Sequence, residues 1–246
     1  MLQDIVKICQ ELLDCPQAGS AKEYAESRIS KNMMDYFKIG YFPKSNELYL
    51  ITDYLKEKNL INSGLFYYRF SEEEGNFVLH STLEQHNLIM PYKDSYGKTI
   101  AIVGRSILSE KEREYKKISK YKNTKFFKSD HLFNLYRAKE AIVKNNCVFV
   151  VEGQFDCITA INYGIDNCVC IGSSNMSFAQ FAILSRYTNR IILLLDNDDA
   201  GRNGMDRAVK KFGVKEGKIP DGYKDLDQFL MEEGKDAKEH IEQMIT

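Results

Sequence analysis

The sequence predicts an α/β chain, α+β when the whole is counted: a mixed N-terminal part, then a parallel β-sheet flanked by helices. Three observations carry this. From Cys147 onward, fully apolar runs (CVFVV, NCVCIG, RIILLL) alternate with segments of helical periodicity. That is the pattern of strands covered on both faces by crossover helices. The first 65 residues carry apolar positions at helical spacing, and between the two regions lie β-prone arms joined by a Gly-containing turn. At roughly 150 residues per domain, 246 residues make one large domain or two small ones. Three segments are expected: 1–146, helical and mixed α/β; 147–213, the parallel sheet; and 214–246, an acidic loop and helix.

The elements follow in order. IVKICQELLD and SAKEYAESRISKNMMDYF predict helices, and Ser20 with Glu23 three residues on predicts a capping box. Gly40 and Pro43 in IGYFP end that segment. LYLITDYLKEKNLI predicts a further helix over 48–61. Glu72, Glu73, Glu74 and Gly75 form a turn in a mixed stretch from Phe66 to Asn87. LIMPYKDSYGKTIAIVG predicts a hairpin whose loop, Asp94 to Gly97, uses Gly97 for positive φ. After CVFVV, the helix in CITAINYG is expected to bury Cys157, Ile158, Ala160 and Ile161 and to end at Gly164 as C-cap. SFAQFAILSRY predicts another helix. AGRNGMDRAVKKFG predicts a third, with Met205, Ala208, Val209 and Phe212 on its buried face.

Composition narrows the function classes. With 43% hydrophobic and 28% charged residues the chain is globular. Its longest apolar runs are far too short to span a bilayer, so no membrane partner is expected. MLQDIVKICQELLD places acids where a signal peptide carries basic and apolar residues, and a cytoplasmic protein is expected. The six cysteines form no CxxC pair and no histidine lies at finger spacing. No zinc site is expected, and Cys147, Cys168 and Cys170 read as buried free thiols. Lys and Arg number 34 against 35 Asp and Glu, a net charge of -1. Nucleic-acid binders are often basic overall, but a neutral sum can hide two fields of opposite sign.

Both fields are present. Residues 111–128, KEREYKKISKYKNTKFFK, hold eight basic residues against Glu112 and Glu114. Tyr115, Tyr121, Phe126 and Phe127 are interleaved. Cations with aromatic faces suit a phosphate backbone with unstacked bases, while the plainer reading is a solvated charged loop. The acidic field lies at strand ends. Glu152, Gly153 and Asp156 follow CVFVV; Asp196, Asn197 and Asp198 follow RIILLL. Ligands of open parallel sheets bind beyond these carboxyl ends. If the two strands are neighbours, about 5 Å apart, the acids converge. Clustered carboxylates are neutralised by protonation or by a cation, and hard oxygen donors favour Mg2+ or Mn2+. Such a site suits phosphoryl or nucleotidyl transfer. A later group, Asp221, Asp225 and Asp227, either extends this rim or, at Asp225, caps the helix beginning near Leu226.

VEGQFD (151–156) and LLDNDDAG (194–201) together resemble the TOPRIM signature shared by DnaG-type primases, topoisomerases and certain nucleases. The flanks are similar to the primases. MPYKDSYGKTIAIVGRS resembles their FPI-D-GxxI-GFGGR stretch, FFKSDHLFNLY their FHK-x-x-LYGL, IGSSNMSFAQ their GTALT-Q, and GYKDLDQFL their GKDPDEFL. YAESR…F-IGYFP resembles the opening of the primase polymerase core. The resemblance spans roughly residues 20–235. It implies Glu152, Asp196 and Asp198 as catalytic acids and metal ligands, with Asp156, Asp225 and Asp227 as supporting metal-site acids around them. It implies Arg105, Lys116 (with Lys117 beside it) and Lys128 as nucleotide- and template-binding cations. The implied function is template-directed RNA primer synthesis from ribonucleoside triphosphates on single-stranded DNA, at the replisome.

There are departures. KKISK replaces KYLNS, putting Ser119 where the asparagine stands. Glu84, Gln85, His86 and Asn87 replace a basic cluster, and His86 is expected at the surface. The family's zinc module and most of its helicase-binding region are expected to be missing. A replicative helicase or a separate zinc-module protein is the candidate protein partner. A TOPRIM nuclease and a non-catalytic nucleic-acid-binding replisome subunit are the competing functions.

Overall fold

The computed structural model describes residues 1–55 and 61–245. Its contacts divide the chain into two units: residues 1–92 with 99–126, and residues 93–98 with 127–246. The sequence boundary after residue 146 falls inside the second unit.

In the first unit, α1 (Leu2–Leu12) turns Ile5, Val6 and Cys9 into the core. Gly40 of β1 (Gly40–Tyr41) lies so close to α1 that a Cβ there would sit 2.6 Å from the Cys9 carbonyl. The expected helix over residues 20–37 is two: α2 (Gly19–Glu26) and α3 (Lys31–Phe37). Ser20 does not cap α2. A 3-10 turn from Pro16 to Ala18 runs straight into the helix, leaving Ser20 inside its first turn. Ser30 is the working cap, accepting from Met33 N–H at 3.4 Å to open α3. The helix expected over 48–61 is seen as α4 (Tyr49–Thr52), and residues 56–60 of it lie outside the described residues.

β2 (Phe66–Ser71) and β3 (Asn76–Ser81) form an antiparallel hairpin around the expected Glu72–Gly75 turn. The expected hairpin is β4 (Leu88–Lys93) and β5 (Thr99–Arg105), with Gly97 at φ 87°. A four-stranded sheet runs β1-β4-β5-β6, where β6 is Tyr121–Asn123. The basic segment begins as a helix, α5 (Glu110–Lys116), which periodicity does not reveal. Ser109 and Glu112 cap it reciprocally, at 3.3 Å to Glu112 N–H and 2.9 Å to Ser109 N–H.

The second unit is a parallel sheet in the order β10-β9-β7-β8: Lys215–Glu216, Ile191–Leu194, Val148–Val151 and Cys168–Cys170. Its three strand pairs are all parallel. The helices are α6 (Leu135–Asn145), α7 (Gln154–Asn162), α8 (Phe178–Leu184), α9 (Asp199–Phe212), α10 (Leu226–Glu233) and α11 (Lys235–Gln243). Val148, Val150, Val169, Leu193, Leu184 and Ala208 belong to one buried cluster. The expected burial of α7 is an underestimate: every residue from Gln154 to Ile161 is buried. Gly164 (φ 80°) stands one residue beyond the C-cap, which is Tyr163. Met205 and Ala208 are buried in α9, but Val209 is 37% exposed, on the edge of the apolar stripe. Cys9, Cys147, Cys157, Cys168 and Cys170 are buried free thiols, and burial raises Cys147 to about 11. Among the described residues no helix is long and apolar enough to cross a membrane.

Candidate active site

The geometry starts from β7 and β9. They pair in parallel with Val151 opposite Leu194. Glu152 leaves the end of β7, and Asp196, Asn197 and Asp198 leave the end of β9 just beyond Leu195. The acids thus sit on neighbouring strands at one rim of the sheet, but they do not converge into the close cluster that was expected. Local packing holds both turns. The Glu152 carbonyl accepts from Gly172 N–H at 2.9 Å and from the Cys170 thiol at 3.0 Å. Gly153 N–H donates to Asp156 Oδ2 at 3.0 Å, and a Cβ on Gly153 would stand 2.4 Å from that oxygen. On the other strand, Asp198 is the N-cap of α9, Oδ1 accepting from Gly201 N–H at 2.8 Å. A Cβ on Gly201 would lie 2.0 Å from the Asp196 carbonyl oxygen, so only glycine lets this turn close.

The remaining acids hold helices. Asp156 Oδ1 accepts from Asp227 N–H at 3.1 Å, and Asp227 Oδ1 accepts from the Thr159 hydroxyl at 2.6 Å. Asp156 and Asp227 are buried, so this network ties α7 to α10 behind the rim. Asp225 is the N-cap of α10, accepting from Gln228 N–H at 2.8 Å. Glu152, Asp196 and Asp225 are half-buried, Asp198 and Asp221 exposed. Among the described residues, no three His, Cys, Asp or Glu side chains gather closely enough to hold a cation together. The donor chemistry nonetheless fits a divalent cation that keeps several waters. Hard carboxylates with solvent access stand at adjacent strand ends, and the buried pair is engaged behind them. An open depression of about 740 Å3 borders Asp196 and Asn197 on the β10 side, lined in part by Arg202, Asp206 and Tyr223.

The candidate cations differ in setting. Lys128 is half-buried and donates to the Gly172 carbonyl at 2.5 Å; Gly172 in turn donates to Glu152. Lys116 and Lys117 are exposed at the end of α5, Lys117 in the left-handed conformation. Arg105 is 6% exposed. Its guanidinium donates to the Tyr24 and Tyr121 hydroxyls and lies over both rings. Of the interleaved aromatics, Tyr115 and Phe127 are exposed, while Phe126 packs on Tyr92. His86 is not at the surface. It is 6% exposed, held in a turn on Leu83, with Nε2 2.9 Å from the Ser119 carbonyl.

Three side chains matter here that residue type alone does not reveal. Thr159 holds Asp227. Gln180 sends its amide to the Lys128, His131 and Ile171 carbonyls at 3.3, 2.9 and 3.1 Å, fixing the turn that carries Lys128. Its signal was the Ser177-x-x-Gln180 capping box. Asn197 joins two loops, its amide donating to the Ile219 and Tyr223 carbonyls.

A parallel sheet with acids on the ends of adjacent strands defines the class. Residues 149–230 match the family described as Toprim-like. Residues 8–139 match the family described as the DNA primase catalytic core, N-terminal domain. The chain belongs to the DnaG-type DNA primase catalytic-core family. The DNA primase of Aquifex aeolicus is 33% identical over 88% of this chain and 43% of that protein. That of Escherichia coli is 28% identical over 94% and 40%. The chain therefore spans less than half the length of these curated relatives. Among solved structures, the zinc-binding and RNA polymerase domains of the Aquifex aeolicus primase align with TM-score 0.77 at 28% identity, over 96% of this chain and 59% of that one. A DnaG primase catalytic domain bound to single-stranded DNA aligns with TM-score 0.78 at 26% identity, over 98% and 79%.

Proposed function

We propose that this chain is a primase RNA polymerase core, joining ribonucleoside triphosphates on a single-stranded DNA template with release of pyrophosphate. The observation that carries the reading is the placement of Glu152 and Asp196 to Asp198 at the ends of neighbouring parallel strands, in a chain of primase-core family. Toprim-like domains of primases imply dependence on a divalent metal; Mg2+ or Mn2+ is the proposed ion, held by Glu152, Asp196 and Asp198. Once bound, the ion would polarise the triphosphate and lower the pKa of the attacking 3′-hydroxyl. The chain's own residues supply the rest. Asp156 and Asp227 hold α7 to α10, and Asp225 starts α10, so all three support the rim. Lys128 brings an ammonium to the loop that meets Glu152. Lys116 and Lys117 offer exposed charge to a polyanion; Arg105, expected as a phosphate contact, is instead buried with its guanidinium on the Tyr24 and Tyr121 hydroxyls, and it holds the end of β5 in place.

A replicative helicase is the proposed partner. The decisive experiment is synthesis of short RNA on single-stranded DNA with ribonucleoside triphosphates and magnesium. Glu152→Gln should lose synthesis while staying folded. Full activity in that variant overturns the mechanism. Cleavage of labelled DNA without nucleotides, and no polymerisation, would place the chain with the TOPRIM nucleases.

A further inference from the structure

Asn197 stands between Asp196 and Asp198, and its side chain faces a different loop. Its Nδ2 donates to the Tyr223 carbonyl at 2.8 Å and is shared between the Ile219 and Pro220 carbonyls at 3.3 Å each. Its backbone N–H donates to the Lys224 carbonyl at 2.7 Å, and its own carbonyl accepts from Arg202 at 2.9 Å. Three converging acceptors leave one orientation for the amide, since the carboxamide oxygen turned toward them would meet only acceptors.

The loop that Asn197 gathers has little regular structure of its own. It contains Pro220, which has no N–H to give, and Gly222 at φ 107°. Its internal bond from Tyr223 N–H to the Pro220 carbonyl is long, at 3.4 Å. It ends at Asp225, the cap of α10, two residues before Asp227, whose N–H binds Asp156. One amide therefore joins the turn carrying Asp196 and Asp198 to the segment carrying Asp225 and Asp227. A shorter side chain would let the two separate, and an aspartate would set a carboxylate against three carbonyl oxygens.

We infer that Asn197 is a positioning residue that anchors the turn carrying Asp196 and Asp198 to the loop at residues 219–224, and through that anchoring sets the affinity of the rim for a divalent cation. The inference rests on the proposed metal-dependent reading of that rim. The test is calorimetric titration of the full chain with MnCl2, in wild type, Asn197→Ala, Asn197→Ser and, as a control, Lys144→Ala, an exposed residue in the last turn of α6. Loss of a group that orients ligands from behind typically weakens metal affinity by about tenfold or more. Asn197→Ala should weaken Mn2+ binding by about that factor, Asn197→Ser by less because one donor remains, and Lys144→Ala not at all. In primer synthesis the half-saturating magnesium concentration should rise while the rate at saturation recovers. A merely structural role would lower the rate at every concentration and leave the midpoint in place.

The outcomes separate. Wild-type Mn2+ affinity in folded Asn197→Ala overturns the inference and leaves the acid site standing. If Asn197→Ala does not fold, Asn197→Ser decides in the same way. If wild type binds no Mn2+, the metal reading falls and takes the inference with it.

Discussion

Asp198 has two roles that a pair of substitutions separates. Its carboxylate caps α9, and it is a proposed ligand. Asparagine caps a helix as well as aspartate does, so Asp198→Asn should leave thermal stability within about 0.5 kcal/mol of wild type. Primer synthesis should nonetheless fall by about a hundredfold, at least what losing an outer-shell group can cost. Asp198→Ala should lose the same activity and a further ~1 kcal/mol of stability on thermal denaturation. Equal losses of stability in both variants would remove the capping role. His86 carries the second residue-scale prediction. Burial, with Lys122 nearby, holds its imidazole below the ordinary 6.5 despite the Ser119 carbonyl. The fold therefore favours neutral His86. Its contribution is complete above about pH 6.5 and is lost as the pH falls through the lowered folded value. Melting temperature between pH 7.5 and 5 should fall more steeply for wild type than for His86→Gln; parallel curves would refute this. That Glu152, Asp196 and Asp198 stand at strand ends is legible in the sequence because each follows an apolar run. The sequence cannot place His86, whose burial depends on Ser119, 33 residues away.

At the scale of elements, periodicity finds what packing makes periodic. The alternating strands and helices after Cys147 are readable because each strand is buried on both faces. α7 is misjudged because it is buried all round, and burial without a stripe leaves no period. α5 is hidden in charge, although Ser109 and Glu112 already spell a capping box. The Ser20-x-x-Glu23 spacing shows the reverse: the same signature without a cap, because Pro16 starts the turn earlier. α9 shows how an element's surroundings reverse a propensity. In an exposed helix Gly→Ala is favourable by about 1 kcal/mol. A Cβ on Gly204 would instead lie 1.8 Å from the Ser174 carbonyl oxygen, in the loop following β8. Gly204→Ala should therefore destabilise by about 2 kcal/mol, in the range for overpacking, as read by urea unfolding. A gain in stability would mean that loop yields readily.

For the whole molecule, the net charge of -1 conceals how the charge is distributed. Acids occupy a strand-end rim and helix caps of the second unit, while α5 and the residues after it in the first unit carry exposed lysines. Affinity for a polyanion depends on the phosphates a local patch neutralises, because each neutralised phosphate releases counterion; the total charge does not enter. A chain of net charge -1 should therefore bind single-stranded DNA with a clear salt dependence, measured by fluorescence anisotropy of a labelled oligonucleotide. Removing one lysine that meets a phosphate should lower the slope of log affinity against log salt by about 0.7 on a single strand. Lys116→Ala and Lys117→Ala should each do so, roughly uniformly across template sequences, because a point charge on a backbone phosphate reads no base. Lys218→Ala should leave the slope unchanged: its ammonium is exposed beside Asp221 at 3.8 Å, away from the basic segment in sequence. If all three variants keep the wild-type slope, the basic segment is a solvated surface, and template binding must come from elsewhere in the chain.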